Sequence, residues 1–258
     1  MGVTPEFRRF IIVFILCSVR MGAAMTMLPA LSSSLVGGLV RRALTLAFAS
    51  VLVPPALRWM PSGDVDFAIA GVIGMKEAVI GFLIGFIASI PFTVAENVGN
   101  YIDNQRGATM GEMFSPLSGT QVSTTGIFFT QLTSVIFYAG GAVFAFLGAV
   151  YFSYGPFPLF GGFSFTAAAP TEAIALVDSM VAKTVVISAP VIILMLLATI
   201  GLGFVNRTAP QLNVFFLSMP VKSALGLAML TLYLQFVVDV LMYGSRGAIL
   251  GPLARLIR

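Results

Sequence analysis

Long apolar stretches separated by short polar ones dominate the chain. No charged residue occurs between positions 113 and 171, and shorter uncharged runs cover residues 21–40, 78–95 and 184–206. A helix needs about 20 apolar residues to cross the hydrocarbon core of a membrane. The pattern therefore predicts an all-α polytopic membrane protein with six apolar helical segments, at residues 10–31, 43–60, 67–95, 125–152, 184–205 and 212–243.

The composition agrees with this pattern and narrows the possible chemistry. Of 258 residues, 58% are hydrophobic and 9% charged, far from the balance of a soluble domain. The net charge of +4 comes from scattered basic residues that form no stripe for a nucleic acid. Histidine is absent, and Cys17 is the only cysteine, which excludes an intrachain disulfide, histidine-based catalysis and histidine-ligated metals. No nucleotide-binding loop is present, so no cofactor, metal or catalytic site is expected.

The six segments are not uniformly apolar. Pro54-Pro55 should stop or kink the second segment. Gly81 and Gly85 have the four-residue spacing that lets membrane helices approach closely. Charges at membrane depth cost a few kcal/mol unless they face protein or water. Several helices should therefore pack against protein rather than lipid, because charged residues interrupt the first, third and last segments: Arg20, Lys76, Glu77, Lys222 and Asp239.

Residues 96–119 concentrate polar side chains directly after an uncharged run. At about 100° per residue, one helical face carries Glu96, Asn100, Asp103 and Asn104, and the roughly opposite, apolar face carries Val94, Val98 and Ile102. Asp103 and Arg106 are three residues apart, a spacing at which they can pair on the surface of the helix. This polar end of the helix is interpreted as a pore lining or a subunit contact, formed by Glu96, Asn100, Asp103 and Arg106.

The segment after this helix end is rich in glycine, methionine and proline, which is poor material for a regular helix. It forms either a constriction in a passage or an ordinary solvated connection. A second interrupted stretch, residues 206–222, has donors beside two prolines. It is interpreted as an intramembrane or interfacial partner contact, with a short loop between two spans as the alternative; the partner-contact residues are Arg207, Pro210, Gln211, Asn213 and Lys222.

These two stretches resemble one known family. Residues 95–108, AENVGNYIDNQRGA, look like the signature of virulence-type SctT proteins, and residues 206–222, NRTAPQLNVFFLSMPVK, are similar to an R-x-x-P-Q-x-N-x-F pattern. Both patterns are typical of the FliR/SctT family (YscT, SpaR, HrcT) of type III secretion and flagellar export subunits, which this chain therefore resembles. The apolar segments fit from end to end, and the first motif favours a virulence-type system over a flagellar one.

The resemblance implies a non-enzymatic subunit of an export gate in the bacterial inner membrane, with residues 1–258 as a single domain. Its helices would form hairpins that pack against SctR- and SctS-like subunits, beside a SctU-like switch protein, around a passage for unfolded secreted proteins. The family's plug loop, which blocks the closed pore, corresponds to residues 110–119. Its candidate residues are Met110, Gly111, Met113, Phe114, Pro116 and Gly119.

Two other functions remain open from the residues themselves. A secondary transporter would bind its substrate or relay protons through Lys76, Glu77, Glu96 and Asp239. A membrane-embedded enzyme would have only scattered carboxylates as acids and bases. Assembly separates these functions, since a gate subunit needs unlike partners and a carrier does not.

Overall fold

The structure is a computed structural model that describes residues 5–32, 36–60, 67–107, 123–162, 169–209, 211 and 214–257. The described part of the chain is helical and contains no strand, as predicted. A single turn of 3-10 helix at Pro29–Leu31 accompanies the α-helices. These are α1 (Pro5–Thr26), α2 (Gly38–Ser50), α3 (Val53–Arg58), α4 (Phe67–Arg106), α5 (Thr124–Ala139), α6 (Ala142–Phe152), α7 (Ala169–Thr208) and α8 (Val214–Ile257).

Four of the described helices are long and apolar enough to cross a membrane: α1, α4, α7 and α8. Helices α5 and α6 form a fifth candidate span, bent by 73°. The predicted polytopic, all-α architecture is therefore confirmed. Helices α4 and α7 each have 40 residues, about 60 Å at 1.5 Å per residue. That is about twice the thickness of the hydrocarbon core.

Two of the six predicted segments divide into two α-helices, each for a local reason. The second divides into α2 and α3, and Pro54-Pro55 lies at the start of α3, where a missing N–H costs nothing. The fourth, predicted as one helix, bends between α5 and α6 because Gly141 adopts a left-handed conformation with φ of 73°. Glycine reaches that conformation without a steric penalty.

The chain forms two compact units. The expectation that residues 1–258 form a single domain stays a prediction. The first unit comprises Met1–Ile90, Phe137–Ile174 and Ser245–Arg258. Its core includes Cys17, which is fully buried as a small apolar side chain. The glycine spacing predicted close packing, and α1 lies directly against α4 there: a Cβ on Gly81 would meet the Arg20 carbonyl oxygen, and one on Gly85 would meet that of Ala24.

The second unit comprises Pro91–Ile136 and Ala175–Gly244. Val94, Val98 and Ile102, the apolar face predicted for the end of α4, are almost fully buried. A Cβ on Gly99 would meet the backbone of Gly126, so α4 and α5 touch main chain to main chain. Asp103, farther along α4 than Gly99, contacts Ser123 and Thr125, which precede Gly126, so α4 and α5 run in opposite directions as a helical hairpin.

Candidate functional site

A buried ionic cluster lies within the first unit. The Arg20 guanidinium donates two parallel hydrogen bonds to Glu77, from Nε to Oε2 at 2.6 Å and from Nη2 to Oε1 at 2.8 Å. Both side chains are inaccessible to solvent. Arg20 also donates to Ser153 Oγ at 3.0 Å and to the Phe157 carbonyl at 2.8 Å. Such two-pronged, charge-assisted bonds are among the strongest in proteins.

Lys76 extends this cluster toward the segment that follows α6. Its ammonium group donates to the carbonyl oxygens of Pro158 and Leu159 at 2.7 Å and of Gly161 at 3.2 Å. The nitrogen is also 3.4 Å from Glu77 Oε1. An ammonium group has three protons, and here each has a carbonyl acceptor. Lys76 and Arg20 therefore hold residues 153–161 against α1 and α4.

An aromatic ring completes the cluster. The Arg20 guanidinium carbon lies 3.7 Å from the centre of the Tyr154 ring, within the range of a cation–π contact. Burial raises the pKa of the Tyr154 hydroxyl far above its usual range, so the ring stays neutral beside the cation. The Glu77 carboxylate is inaccessible to solvent, and both of its oxygens accept hydrogen bonds from Arg20. Glu77 is therefore poorly placed to bind a transported substrate.

A second cluster joins the end of α4 to the start of α5, within the second unit. Asp103 Oδ2 accepts hydrogen bonds from Ser123 Oγ at 2.6 Å and from the Thr125 N–H at 3.0 Å. Its Oδ1 accepts a hydrogen bond from the Thr125 hydroxyl and forms an ion pair with Arg106 Nη2 at 2.9 Å. The predicted Asp103–Arg106 pair therefore forms, but the carboxylate is buried rather than on the helix surface.

The residues of the Asp103 cluster lie on both sides of the segment 108–122 in the chain. Four residues separate Asp103 from the segment 108–122, and Ser123 follows that segment directly. Gly107 ends α4 in a left-handed conformation with φ of 82°, a common helix terminus. Ser123 also accepts the Gly126 N–H at 2.9 Å, which caps α5. One carboxylate thus ties together both ends of the segment that contains the predicted plug loop.

The rest of the polar face of α4 borders a pocket of about 300 Å³. It is lined by Asn97, Asn100, Tyr101, Asn104, Val181 and Thr184. Glu96 is exposed and does not line the pocket. Sequence reasoning had placed Asn100 and Asn104 on this face but had not singled out Asn97 or Tyr101, although their spacing on the helix would have allowed it.

Comparisons with known proteins settle the family. The model for "Bacterial export proteins, family 1" matches residues 11–246. This chain belongs to that family. It is 37% identical over 234 residues to Yop proteins translocation protein T of Yersinia pestis, with 88% of this chain and 87% of that protein covered.

Two further relatives separate the branches of the family. Secretion system apparatus protein SsaT of Salmonella typhimurium is 35% identical over 213 residues, 81% of each chain. Flagellar biosynthetic protein FliR of Bacillus subtilis is 27% identical over 203 residues, with 76% of this chain and 73% of that protein covered. The predicted resemblance to the SctT type, rather than to flagellar FliR, is confirmed.

Several predicted site residues of this export protein lie outside the described residues. These are the whole set in the predicted plug loop (Met110, Gly111, Met113, Phe114, Pro116 and Gly119) together with Pro210 and Asn213. Arg207 and Gln211 are exposed, and Lys222 is half-buried. The roles assigned to these residues stay predictions.

Proposed function

We propose that this chain is a structural, non-enzymatic subunit of the inner-membrane export gate of a type III secretion system, where it helps to form the passage for unfolded secreted proteins. The family and its secretion-system relatives support an export role. The observation that carries the finer proposal is the Asp103 cluster, because it closes a loop at its base.

A plug needs a fixed base and a part that moves. The α4–α5 hairpin supplies the base, since the two helices meet at Gly99 and Gly126 and are tied by Asp103. Residues 108–122 supply methionine, phenylalanine and glycine. Methionine and phenylalanine side chains can close around a hydrated passage, and glycine lets the backbone change conformation.

In this proposal the chain assembles with subunits of different sequence. Only 11% of the most apolar stretch of α8 is buried, and only 22% of the most apolar stretch of α7 is buried. SctR- and SctS-like subunits and a SctU-like switch protein are the proposed partners, with lipid covering the remaining apolar surface. Arg207 and Gln211 are exposed at the end of α7 and just after it, where such a partner has access to them.

Deleting residues 111–116 tests the plug directly. The gate should still assemble, and the bacterial membrane should become permeable to small solutes when the variant is expressed, as measured by dye uptake or ion leakage. The substitution Glu112→Gln is the matched control, because it keeps the length and the apolar side chains of the loop. A membrane that stays tight with the deletion, in a gate of normal composition, would contradict the proposal.

A further inference from the structure

Residues 153–162, all within the described part of the chain, follow α6 without forming a regular helix, yet they lie against the core of the first unit. Leu159 is inaccessible to solvent, and Tyr154 is almost fully buried. Backbone that leaves a helix has carbonyl oxygens without intrahelical partners, and in a surface loop water satisfies them. Here Arg20 and Lys76 donate to them instead, at the carbonyl groups of Phe157, Pro158, Leu159 and Gly161.

The composition of this segment also reduces the number of backbone donors that need a partner. Pro156 and Pro158 have no N–H group. The N–H groups of Gly155, Phe157 and Gly161 donate to carbonyl oxygens three or four residues earlier in the chain. Local turns and charged side chains are the partners that non-helical backbone requires where water is absent.

The cluster that holds this segment lies well inside the two helices that carry it. Helices α1 and α4 run side by side in the same direction, since Gly81 and Gly85 lie against the carbonyl oxygens of Arg20 and Ala24, in that order. Both helices are long and apolar enough to cross a membrane. At 1.5 Å per residue, Arg20 is about 22 Å from the first residue of α1, and Lys76 is about 14 Å from the first residue of α4. Half the thickness of a hydrocarbon core is about 15 Å.

The connection between α3 and α4 marks the end at which α1 and α4 begin. Met60, just after α3, accepts a hydrogen bond through its sulfur from Arg9 Nε near the start of α1, at 3.4 Å. Beside Met60, Arg58 and Trp59 are exposed. Arginine and tryptophan at the end of an apolar helix are typical of a membrane–water interface. Residues 153–162 therefore stop well short of the interface that Trp59 marks.

We propose that residues 153–162 form a re-entrant turn, which carries the chain out of α6 about halfway along a membrane span and does not reach the aqueous side at which α1 and α4 begin. Arg20 and Lys76 are its positioning residues, because they replace water on its carbonyl groups. Glu77 compensates part of the charge that burial of two cations would otherwise leave. A connection in water would need no such buried ions. The inference uses neither the plug nor the passage, so its failure would leave the proposed function untouched.

Thiol accessibility tests the turn, in opened membranes that contain the full-length chain without other gate subunits. Gly162→Cys places a thiol at an exposed position, where an added Cβ has nothing within 4 Å among the described residues, so the core of the chain does not protect it. Trp59→Cys is the matched control, because Trp59 is 49% exposed at the α3–α4 connection. The native chain, whose Cys17 is buried, gives the background.

We expect a water-soluble, membrane-impermeant maleimide to label position 162 at least about tenfold more slowly than position 59, because the reactive thiolate forms poorly in apolar surroundings. Labelling after denaturation measures the total thiol of each variant. Equal rates at the two positions would overturn the proposal, since they would place residues 153–162 in water.

A second arm tests Lys76 as a positioning residue. In the Gly162→Cys chain, Lys76→Met should raise the labelling rate at least about threefold, because three carbonyl groups lose their donor and need water instead. Lys76→Arg keeps a cation and should keep the protection, and Lys183→Met, which removes an exposed lysine on α7, is the control. A rate that Lys76→Met leaves unchanged would refute this role of Lys76. If Lys76→Met by itself makes Cys17 reactive, the chain has unfolded, and the comparison of positions 162 and 59 in the native cluster decides the proposal.

Discussion

Replacing Glu77 by glutamine removes the negative charge that two cations share. In the native cluster Arg20 and Lys76 both contact Glu77, so the three side chains carry a net charge of +1. Glu77→Gln raises that charge to +2 and replaces one of the two acceptor oxygens by an NH2 group, which faces a guanidinium that is fully buried. Arg20→Gln lowers it to 0 and leaves Glu77 beside Lys76, at 3.4 Å. The two substitutions should therefore differ in cost, although each removes one member of the same ion pair.

The expected magnitudes follow from burial. Leaving one partner of a buried ion pair without compensation costs about 3–5 kcal/mol, which is the expectation for Glu77→Gln. Arg20→Gln mainly loses charge-assisted hydrogen bonds while Lys76 still compensates the carboxylate, for about 1.5–3 kcal/mol. The double variant removes both buried charges, so it should cost less than Glu77→Gln alone. For a chain of this size, 3–5 kcal/mol corresponds to a fall in melting temperature of about 6–20 °C.

The assay is the apparent melting temperature of the purified full-length chain in detergent. Asp178→Asn is the matched control, because it removes one carboxylate that is exposed on α7. The order expected for the loss of stability is Glu77→Gln first, the double variant or Arg20→Gln next, and the control close to zero. Equal effects of the two single substitutions, or additive effects in the double variant, would refute the reasoning about shared charge.

Three further predictions concern packing, the loop base and the partner contact. Gly81→Ala should destabilise the chain by about 1–3 kcal/mol, because the added Cβ would meet the Arg20 carbonyl oxygen. Gly71→Ala is the control, since its added Cβ would have nothing within 4 Å, and it should stabilise the chain by about 0.5–1 kcal/mol. Melting temperatures that move in the same direction for both variants would contradict this. Asp103→Asn should speed proteolytic cleavage within residues 108–122, because the cluster that ties the loop base loses its charge, and a cleavage rate equal to that of the native chain would show that Asp103 does not hold the loop. Arg207→Ala should leave the free energy of unfolding within about 0.5 kcal/mol of native but weaken co-purification with gate partners; undiminished co-purification would remove that role.

Local sequence patterns predicted most of the features that depend on neighbours along the chain. Periodicity found the apolar face of α4 at Val94, Val98 and Ile102, all of which are buried. The three-residue spacing found the Asp103–Arg106 pair, and the proline pair explained the division between α2 and α3. The bend at Gly141 was missed, because glycine in an apolar run is compatible with an unbroken helix as well as with a turn.

Contacts between distant residues were beyond such patterns. Arg20 and Glu77 are separated by 57 positions, and each was recognisable only as a charge inside an apolar segment. A buried charge requires a partner, but nothing local says which one. In the same way, the Asp103 carboxylate bonds to Ser123 and Thr125 across the segment 108–122. The sequence had suggested a helix-surface pair there, and the structure adds the connection that makes Asp103 a loop anchor.

Hydropathy also failed to rank the helices by burial. The most apolar stretch of the long helices lies in α7, yet only 22% of that stretch is buried. In α4, 67% of the most apolar stretch is buried. Lipid tails are as apolar as leucine, so hydropathy alone does not drive one membrane helix onto another. What distinguishes α4 is close contact at Gly81, Gly85 and Gly99, where a Cβ would strike a neighbouring backbone. Internal packing in this protein therefore follows the placement of small residues, and the bare apolar surface of α7 is the surface that lipid or partner subunits must cover.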